Sequence, residues 1–266
     1  MLRMRNGSED VLLAAIADGA GSASHSQIGS GEAVQHLLKL VLQSDVKVAD
    51  ISQQQACVWY KEVLEHLKSV AVRESLPIGE LACTLLLAVV WKNGAVLGQI
   101  GDGAWVLEKD GALLTGTWPE TGEYANITVF LTTEGALENL QFQRIDGKIS
   151  AVAGFTDGIQ MLALDFGQRT PGERFFKSMF GSLRGSADET ELIAPLQQML
   201  ASEVICSRTD DDKTLVLGVW RESEAESEAN SAERNSVGPT PAKAILEESN
   251  LGEPIPTEVN PDGIAQ

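Results

Sequence analysis

The chain has 266 residues, of which 43% are apolar and 22% are charged, so it is long enough for a sizeable globular core. Its formal net charge of −18 excludes a main function on DNA or RNA, because Lys and Arg provide the binding to phosphates. The sequence contains neither the run of about 20 apolar residues typical of a membrane helix nor the start of a secretory signal. With three widely spaced cysteines, Cys57, Cys83 and Cys206, these features lead us to expect a cytoplasmic protein without a nucleic-acid or membrane partner.

Runs rich in Val, Leu and Ile, separated by short turn signals, predict strands. The predicted strands are 11–17, 82–91, 95–101, 104–110, 126–130, 149–155 and 214–220. Apolar residues at a spacing of three or four predict helices at 27–43, 50–73, 172–182 and 188–203. Within the last of these, Pro195 predicts a kink or a restart.

The helices and strands are grouped rather than strictly alternating, which favours an α+β domain with helices packed on antiparallel sheets. The strands between 82 and 110 have the pattern of an antiparallel meander. We expect one domain over 1–220. The remainder, 221–266, carries ten acidic residues against three basic ones, and we expect it to be a disordered acidic tail.

Acidic residues recur where predicted strands end or begin. Asp18, Asp102 and Asp157 each follow an apolar run and precede a glycine, and three aspartates at 210–212 precede the last strand. Asp-Gly is good turn chemistry, so each instance alone is explained by a turn. Hard cations such as Mg²⁺ and Mn²⁺ prefer carboxylate oxygens, and strand ends are rigid positions from which several carboxylates can converge. The repetition therefore favours a cation site.

Four motifs in order resemble the metal-dependent protein phosphatases, the PPM or type 2C serine/threonine phosphatases, in a bacterial branch. They are "ADGAGSASHSQIGSGEAV" (17–34), "ACTLLLAVVWKNGAVLGQIGDGAWVLEKDG" (82–111), "GFTDGI" (154–159) and "DDKTLVLGV" (211–219). The resemblance covers roughly residues 10–220. It implies a four-layer αββα sandwich, in which two antiparallel sheets are flanked by helix pairs, with a dinuclear Mg²⁺ or Mn²⁺ centre at one edge.

The resemblance also implies roles for individual residues. Asp18 would bridge both metals, the Gly19 carbonyl would ligate one, and Asp157 and Asp211 would ligate the other. Asp102 would serve a third, weaker metal position. Alignment of Thr214 with the family threonine makes Asp211 the ligand and Asp212 its neighbour, while Asp210 remains a less favoured substitute.

The implied reaction is hydrolysis of phosphoserine or phosphothreonine by a hydroxide bound between the two metals, without a covalent enzyme intermediate. The implied partners are a phosphoprotein substrate and a cognate serine/threonine kinase. His25, in the loop after Asp18, is a candidate general acid, although an ordinary exposed loop histidine is the simpler interpretation.

Two segments depart from the family pattern. Family members carry an acidic pair and a phosphate-binding arginine ahead of the first Asp-Gly strand, whereas "RNGSED" (5–10) has the pattern of a hairpin turn. Either the chain starts late and lacks a first strand, which we expect, or it is a natural variant with weakened activity. In the second departure, Gly103 and Ala104 replace the serine and arginine of the Gly-Asp-Ser-Arg motif.

These departures keep two further hypotheses open. One is a catalytically weak or inactive phosphatase-fold protein that binds a regulatory partner. The other is that the Asp-Gly turns are structural and that the acidic residues hold no metal.

Overall fold

Two antiparallel sheets form the centre of the molecule. The structure is a computed structural model and describes residues 1–119, 128–209 and 211–221. In chain order the strands are β1 (Leu2–Asn6), β2 (Glu9–Ile16), β3 (Leu85–Trp91), β4 (Gly94–Ile100), β5 (Ala104–Lys109), β6 (Ala112–Thr117), β7 (Gln141–Asp146), β8 (Ile149–Phe155), β9 (Leu164–Asp165), β10 (Thr170–Pro171) and β11 (Leu215–Val219).

The helices cover the two outer faces of the sheets. They are α1 (Ser26–Leu42), α2 (Gln53–Glu74), α3 (Gln160–Ala163), α4 (Glu173–Gly185), α5 (Ile193–Leu200) and α6 (Glu203–Cys206), with 3₁₀ turns at Val48–Asp50, Ile78–Leu81, Ala136–Asn139, Asp157–Ile159 and Glu189–Leu192.

The first sheet has the strand order β1-β2-β3-β4-β7 and the second has the order β11-β8-β5-β6. Between them lies a core to which the first sheet contributes Leu86 and Leu97 and the second contributes Trp105 and Leu107, all fully buried. Burial on both faces explains why β3 and β4 are apolar without alternation.

The outer layers are built by helices whose apolar residues face the sheets. In α1, Ala33, Leu37 and Val41 recur every four residues and join the core on the first sheet. In α4, Phe176 and Phe180 do the same on the second sheet. The resulting order of helix, sheet, sheet and helix confirms the expected four-layer αββα sandwich.

The middle strands differ from the predicted meander. β3 pairs with β4 and β5 pairs with β6, but β4 and β5 belong to different sheets, so the chain crosses between the sheets at 101–103. The predicted strand at 126–130 is wrong for its described part, 128–130, which is irregular. Residues 126 and 127 lie outside the described residues.

The four helical predictions are confirmed. The last of them is interrupted as expected: a 3₁₀ turn ends at Leu192 and α5 begins at Ile193, so Pro195 falls in the first turn, where its missing N–H leaves no helical bond unmade. None of the helices in the described ranges combines the length and apolar character that a membrane-spanning segment requires.

At the amino-terminal end, the hairpin turn expected at 5–10 is present. It joins β1 to β2, with Asn6 opposite Glu9 and Gly7 at a φ of +66°. The described residues belong to one unit that spans Met1–Arg221. The expected acidic tail, apart from Arg221, lies outside the described residues.

Candidate metal centre

The pairing of the strands brings the acidic turns to one end of the sandwich. In the second sheet, Phe155 at the end of β8 lies opposite the first residues of β5 and β11. Asp157 therefore follows one strand at the edge where Asp102 and Asp211 precede the others. In the first sheet, β2 ends at this same edge and leads into Asp18, because its partner β3 begins there.

The carboxyl groups of Asp18 and Asp157 are close enough for a shared proton to join them by a hydrogen bond, and each acts on the pKa of the other. Burial, followed by the charges of Asp102 and Asp18, raises the pKa of Asp157 to about 7. Burial also raises the pKa of Asp18, where the hydrogen bond from Asp157 acts in the opposite direction. Among the described residues, the Oδ1 atom of Asp157 is buried without a hydrogen-bond partner, an unusual state for a polar atom that a bound cation would relieve.

Thr84 fixes the backbone of the Asp18 turn. The Asp18 N–H donates to Thr84 Oγ1 at 2.9 Å, and the Thr84 N–H donates to the Asp18 carbonyl at 2.8 Å. The Ala20 N–H donates to the Ala82 carbonyl at 2.9 Å. The hydrogen bonds on either side of the Gly19–Cys83 bridge do not use the Gly19 carbonyl. This oxygen is therefore available to a cation.

Asp102 lies in the turn where the chain crosses between the sheets. Its Oδ2 accepts a hydrogen bond from the Thr128 hydroxyl. The next position explains one departure from the family motif: a Cβ on Gly103 would lie 2.6 Å from the Phe155 carbonyl oxygen, so no serine fits there without a shift of the backbone. Ala104 is fully buried as the first residue of β5.

The segment before β11 is attached to the Asp157 turn through the backbone. The Thr214 N–H donates to Thr156 Oγ1 at 3.2 Å. A Cβ on Gly158 would lie 2.1 Å from the Asp212 carbonyl oxygen, so glycine permits this close approach. The charge of Asp211 acts on Asp157 and that of Asp212 acts on Asp18.

Asp210, the less favoured ligand, lies outside the described residues. Sequence reasoning also missed Thr84 and Thr128. Their hydroxyls give no motif signal, since Thr is common in strands and turns.

The donor set fits a hard divalent cation. It consists of carboxylates and a backbone carbonyl, which are the oxygen ligands that Mg²⁺ and Mn²⁺ prefer. The nearby Cys83 is not a competing sulfur ligand, because burial and the charge of Asp18 raise the pKa of its thiol to about 12. Within the described ranges, however, no three His, Cys, Asp or Glu side chains are gathered closely enough to hold an ion. Asp18 and Asp157 are brought together, and the other acids act on them through charge.

His25 is paired with a different acidic residue, Glu80. Its Nδ1 lies 3.5 Å from Glu80 Oε2, and its side chain is 42% exposed. The neighbouring Ser24 N–H donates to the same Glu80 oxygen at 2.9 Å. This position agrees with an ordinary loop histidine.

Comparison with solved structures places this architecture among bacterial serine/threonine phosphatases. Stp1 from Staphylococcus aureus is 15% identical, with a TM-score of 0.53 over 83% of this chain and 87% of that one. The catalytic domain of the phosphatase PstP, solved in complex with two manganese ions, is 16% identical, with a TM-score of 0.52 over 82% of this chain and 92% of that one. At these identities the comparison defines the class of fold.

Sequence comparison gives the family. The profile described as "Protein phosphatase 2C" matches residues 2–201. Serine/threonine-protein phosphatase 3 of Escherichia coli (strain K12) is 34% identical over 223 residues, which cover 82% of this chain and 87% of that protein. The chain therefore belongs to the protein phosphatase 2C family, which confirms the resemblance and the expected class of enzyme, a phosphoprotein phosphatase.

Proposed function

We propose that this chain hydrolyses phosphoserine and phosphothreonine in proteins with two Mg²⁺ or Mn²⁺ ions held by Asp18, Gly19, Asp157 and Asp211. The observation that carries this proposal is the half-buried Asp18–Asp157 carboxyl pair, in which Asp157 Oδ1 has no hydrogen-bond partner among the described residues. Neighbouring carboxylates of like charge are unfavourable unless a proton or a cation lies between them. The manganese ions of the PstP complex support the cation, as does the family.

The residues divide the work as follows. Asp18 would contribute to both positions, the Gly19 carbonyl would supply a ligand to one, and Asp157 and Asp211 would supply ligands to the other. Asp102, held by Thr128, serves a third and weaker position. Two bound divalent cations supply Lewis acidity, which activates water for in-line attack on phosphorus and neutralises charge on the phosphoryl oxygens.

The contribution of the fold is to hold these oxygens in place before the cations arrive. Thr84 fixes the Asp18 turn through two hydrogen bonds of 2.9 and 2.8 Å, and the close approach at Gly158 fixes the Asp211 segment against the Asp157 turn. Preorganised ligands avoid the entropy of ordering flexible loops during binding.

The substrate class implies a partner enzyme. A phosphate monoester on a serine or threonine hydroxyl is formed by a serine/threonine kinase, so we propose that such a kinase supplies the phosphoprotein. We also propose that both act in the cytoplasm.

Release of phosphate tests the proposal. The purified chain with Mn²⁺ is expected to hydrolyse a phosphothreonine peptide and an aryl phosphate, and the variants Asp18→Asn and Asp157→Asn are expected to lose this activity. The matched control is Asp146→Asn, because Asp146 is 76% exposed on the edge strand β7. Equal activity in Asp157→Asn and Asp146→Asn would refute the proposed ligands.

The second candidate, a regulatory binding protein of the same fold, is favoured by Gly103 and Ala104, which replace the family serine and arginine. Calorimetry with Mn²⁺ separates the two candidates. Metal binding without turnover of either substrate would favour the binding protein, and turnover would exclude it.

A further inference from the structure

A cavity of about 380 Å³ opens at Asp157, one member of the acidic pair. Its lining combines two of the proposed metal ligands with a cation and exposed apolar side chains: Asp157, Asp211, Arg208, Gln160, Met161 and Phe166. Because Asp157 and Asp211 form part of its wall, a group bound in this cavity lies next to that side of the proposed metal site.

A phosphate monoester carries a charge of about −1.5 to −2 at neutral pH, and the acidic edge by itself repels it. A site for such a group therefore needs a cation of the protein as well as metals. The arginines near the start of the chain do not supply it. Arg3 lies opposite Leu12 in the β1–β2 pair, six residues before Asp18, which corresponds to about 20 Å along the strand.

Arg3 and Arg5 also have partners of their own. Arg3 contacts Glu189 at 3.1 Å and Arg5 contacts Asp10 at 3.0 Å. The hairpin expected at 5–10 is thus part of the edge of the first sheet and not part of the acidic centre.

Arg208 satisfies the requirement. It follows α6, its backbone N–H donates to the Ile205 carbonyl at 2.9 Å, and its side chain lines the cavity. None of the ion pairs within the described part of the chain uses its guanidinium. The nearby Lys213 donates instead to the Asp211 carbonyl at 2.9 Å.

The apolar part of the lining indicates what accompanies the phosphate. Met161 is 68% exposed and Phe166 is 42% exposed, and both border the cavity. Exposed apolar side chains next to a reactive centre are typical of a binding surface. The carboxylates of Asp157 and Asp211 would repel an acidic side chain next to the phosphorylated residue of the substrate.

We propose that this cavity is the substrate subsite of the enzyme, in which Arg208 binds the phosphate and Met161 and Phe166 contact an apolar side chain next to the phosphorylated residue. This inference rests on the proposed function and names the substrate class of the same site. The guanidinium suits the role because its planar set of donors can bind two phosphate oxygens at once.

Two measurements on the Mn²⁺-loaded chain test Arg208. In Arg208→Gln, the Kd of inorganic phosphate by calorimetry and the KM of an aryl phosphate are expected to rise about 10- to 100-fold, with a smaller change in kcat. Arg208→Lys keeps the positive charge but lacks the planar donors, so its Kd and KM are expected to lie between those of the wild type and Arg208→Gln. Arg174→Gln, a change at an exposed position of α4, is the matched control, and thermal melting of each variant checks its folding. Values for Arg208→Gln equal to those of Arg174→Gln would overturn the assignment.

The apolar contact is tested with two phosphothreonine peptides that carry Leu or Asp on both sides of the phosphorylated residue. We expect the wild type to favour the Leu peptide about tenfold in kcat/KM, and Met161→Gln to reduce that ratio about threefold. A ratio of one or less in the wild type, or a ratio that does not change in Met161→Gln, would overturn the apolar contact.

Different results would refute the proposed function and the proposed substrate subsite. If the wild type binds Mn²⁺ and phosphate but hydrolyses no substrate, the proposed function is wrong while the phosphate measurement still decides the role of Arg208. If the wild type hydrolyses both peptides and the variants behave like it, the function holds and the subsite is wrong.

Discussion

Asp157 and Glu108 are two partly buried carboxyls of the second sheet, and their surroundings shift their pKa values in opposite directions. Glu108 accepts hydrogen bonds from the Ser150 hydroxyl at 2.5 Å and from Arg184 Nη2 at 2.5 Å. Burial opposes its ionisation, but these two partners outweigh burial and lower its pKa. Asp157 is surrounded by Asp18, Asp102 and Asp211, and burial together with their charges raises its pKa to about 7.

The difference separates a structural carboxyl from a functional one. A folded protein normally pairs a buried charge with an opposite charge, because an unpaired one destabilises it. Glu108 is paired with the positive charge of Arg184. Asp157 is surrounded by further negative charges instead. Acidic residues arranged in this way are expected to destabilise the metal-free protein, and a cation at the proposed site would relieve their repulsion.

Asp157→Asn gives the largest expected effect. Phosphatase activity with Mn²⁺ should fall at least about 100-fold, because the amide is a weaker ligand. The metal-free variant should melt about 2–4 °C higher than the wild type, which corresponds to about 1 kcal/mol, since one of the repelling charges is gone. Activity assays and thermal melting without metal measure the two changes.

The same neutralisation at Glu108 supplies the contrast. If Asp157→Asn melted lower than the wild type in the absence of metal, the two carboxyls would be alike and the comparison would fail.

Gly103→Ser, which restores the family residue, is expected to destabilise the protein. The new Cβ would lie 2.6 Å from the Phe155 carbonyl oxygen, and relieving that contact must shift the turn that carries Asp102. We expect a loss of about 1–3 kcal/mol in the free energy of unfolding. Gly181→Ser on α4, where a Cβ meets nothing within 4 Å, is the control for urea unfolding. Equal stability of the two variants would contradict the close packing at the turn.

Glu108→Gln is expected to change stability with the opposite sign to Asp157→Asn. The change leaves Arg184, whose side chain is 36% exposed, without its anionic partner. A loss of about 1 kcal/mol is expected, with activity retained because Glu108 lies away from the acidic centre. A variant that is as stable as the wild type would mean that this pair has no net effect.

The smallest effect is expected at a pair of neighbouring histidines. The rings of His36 and His66 are stacked, with centroids 4.1 Å apart. Burial, followed by the charges of His66 and Lys39, lowers the pKa of His36, against the opposing effect of Glu62 and Glu32. The unfolded chain therefore binds a proton more readily than the folded one, so stability is full above pH 6.5 and falls as the pH drops below it. Urea midpoints at pH 7.5 and 5.5 should show a smaller fall in His36→Gln than in the wild type, and an identical fall would exclude His36 as the cause.

The sequence indicated which acidic turns lie together at one end of the sandwich, but not how the strands pair. Asp18 and Asp157 were recognisable because Asp-Gly after an apolar strand is a local signal that recurs in family order. β7 was missed because Gln141–Asp146 is a polar edge strand whose burial is only partial, so its pairing with β4 leaves no apolar pattern. The crossing between sheets was missed because most of β4 and the first four residues of β5 are buried and largely apolar, and such runs do not reveal which neighbour they pair with.

Contacts that depend on tertiary structure were beyond sequence reasoning. The hydrogen bonds of Thr84 and Thr128 to the acidic turns join residues 66 and 26 positions apart. The cavity beside Arg208 likewise depends on how the segment before β11 packs against the Asp157 turn.

Calorimetric titration of the metal-free chain with Mn²⁺ measures directly whether the Asp18–Asp157 carboxyl pair is a cation site. We expect two bound ions in the wild type, loss of this binding in Asp18→Asn, whose side chain would contribute to both positions, and full retention in Asp146→Asn. Binding in Asp18→Asn with the affinity and stoichiometry of the wild type would contradict it.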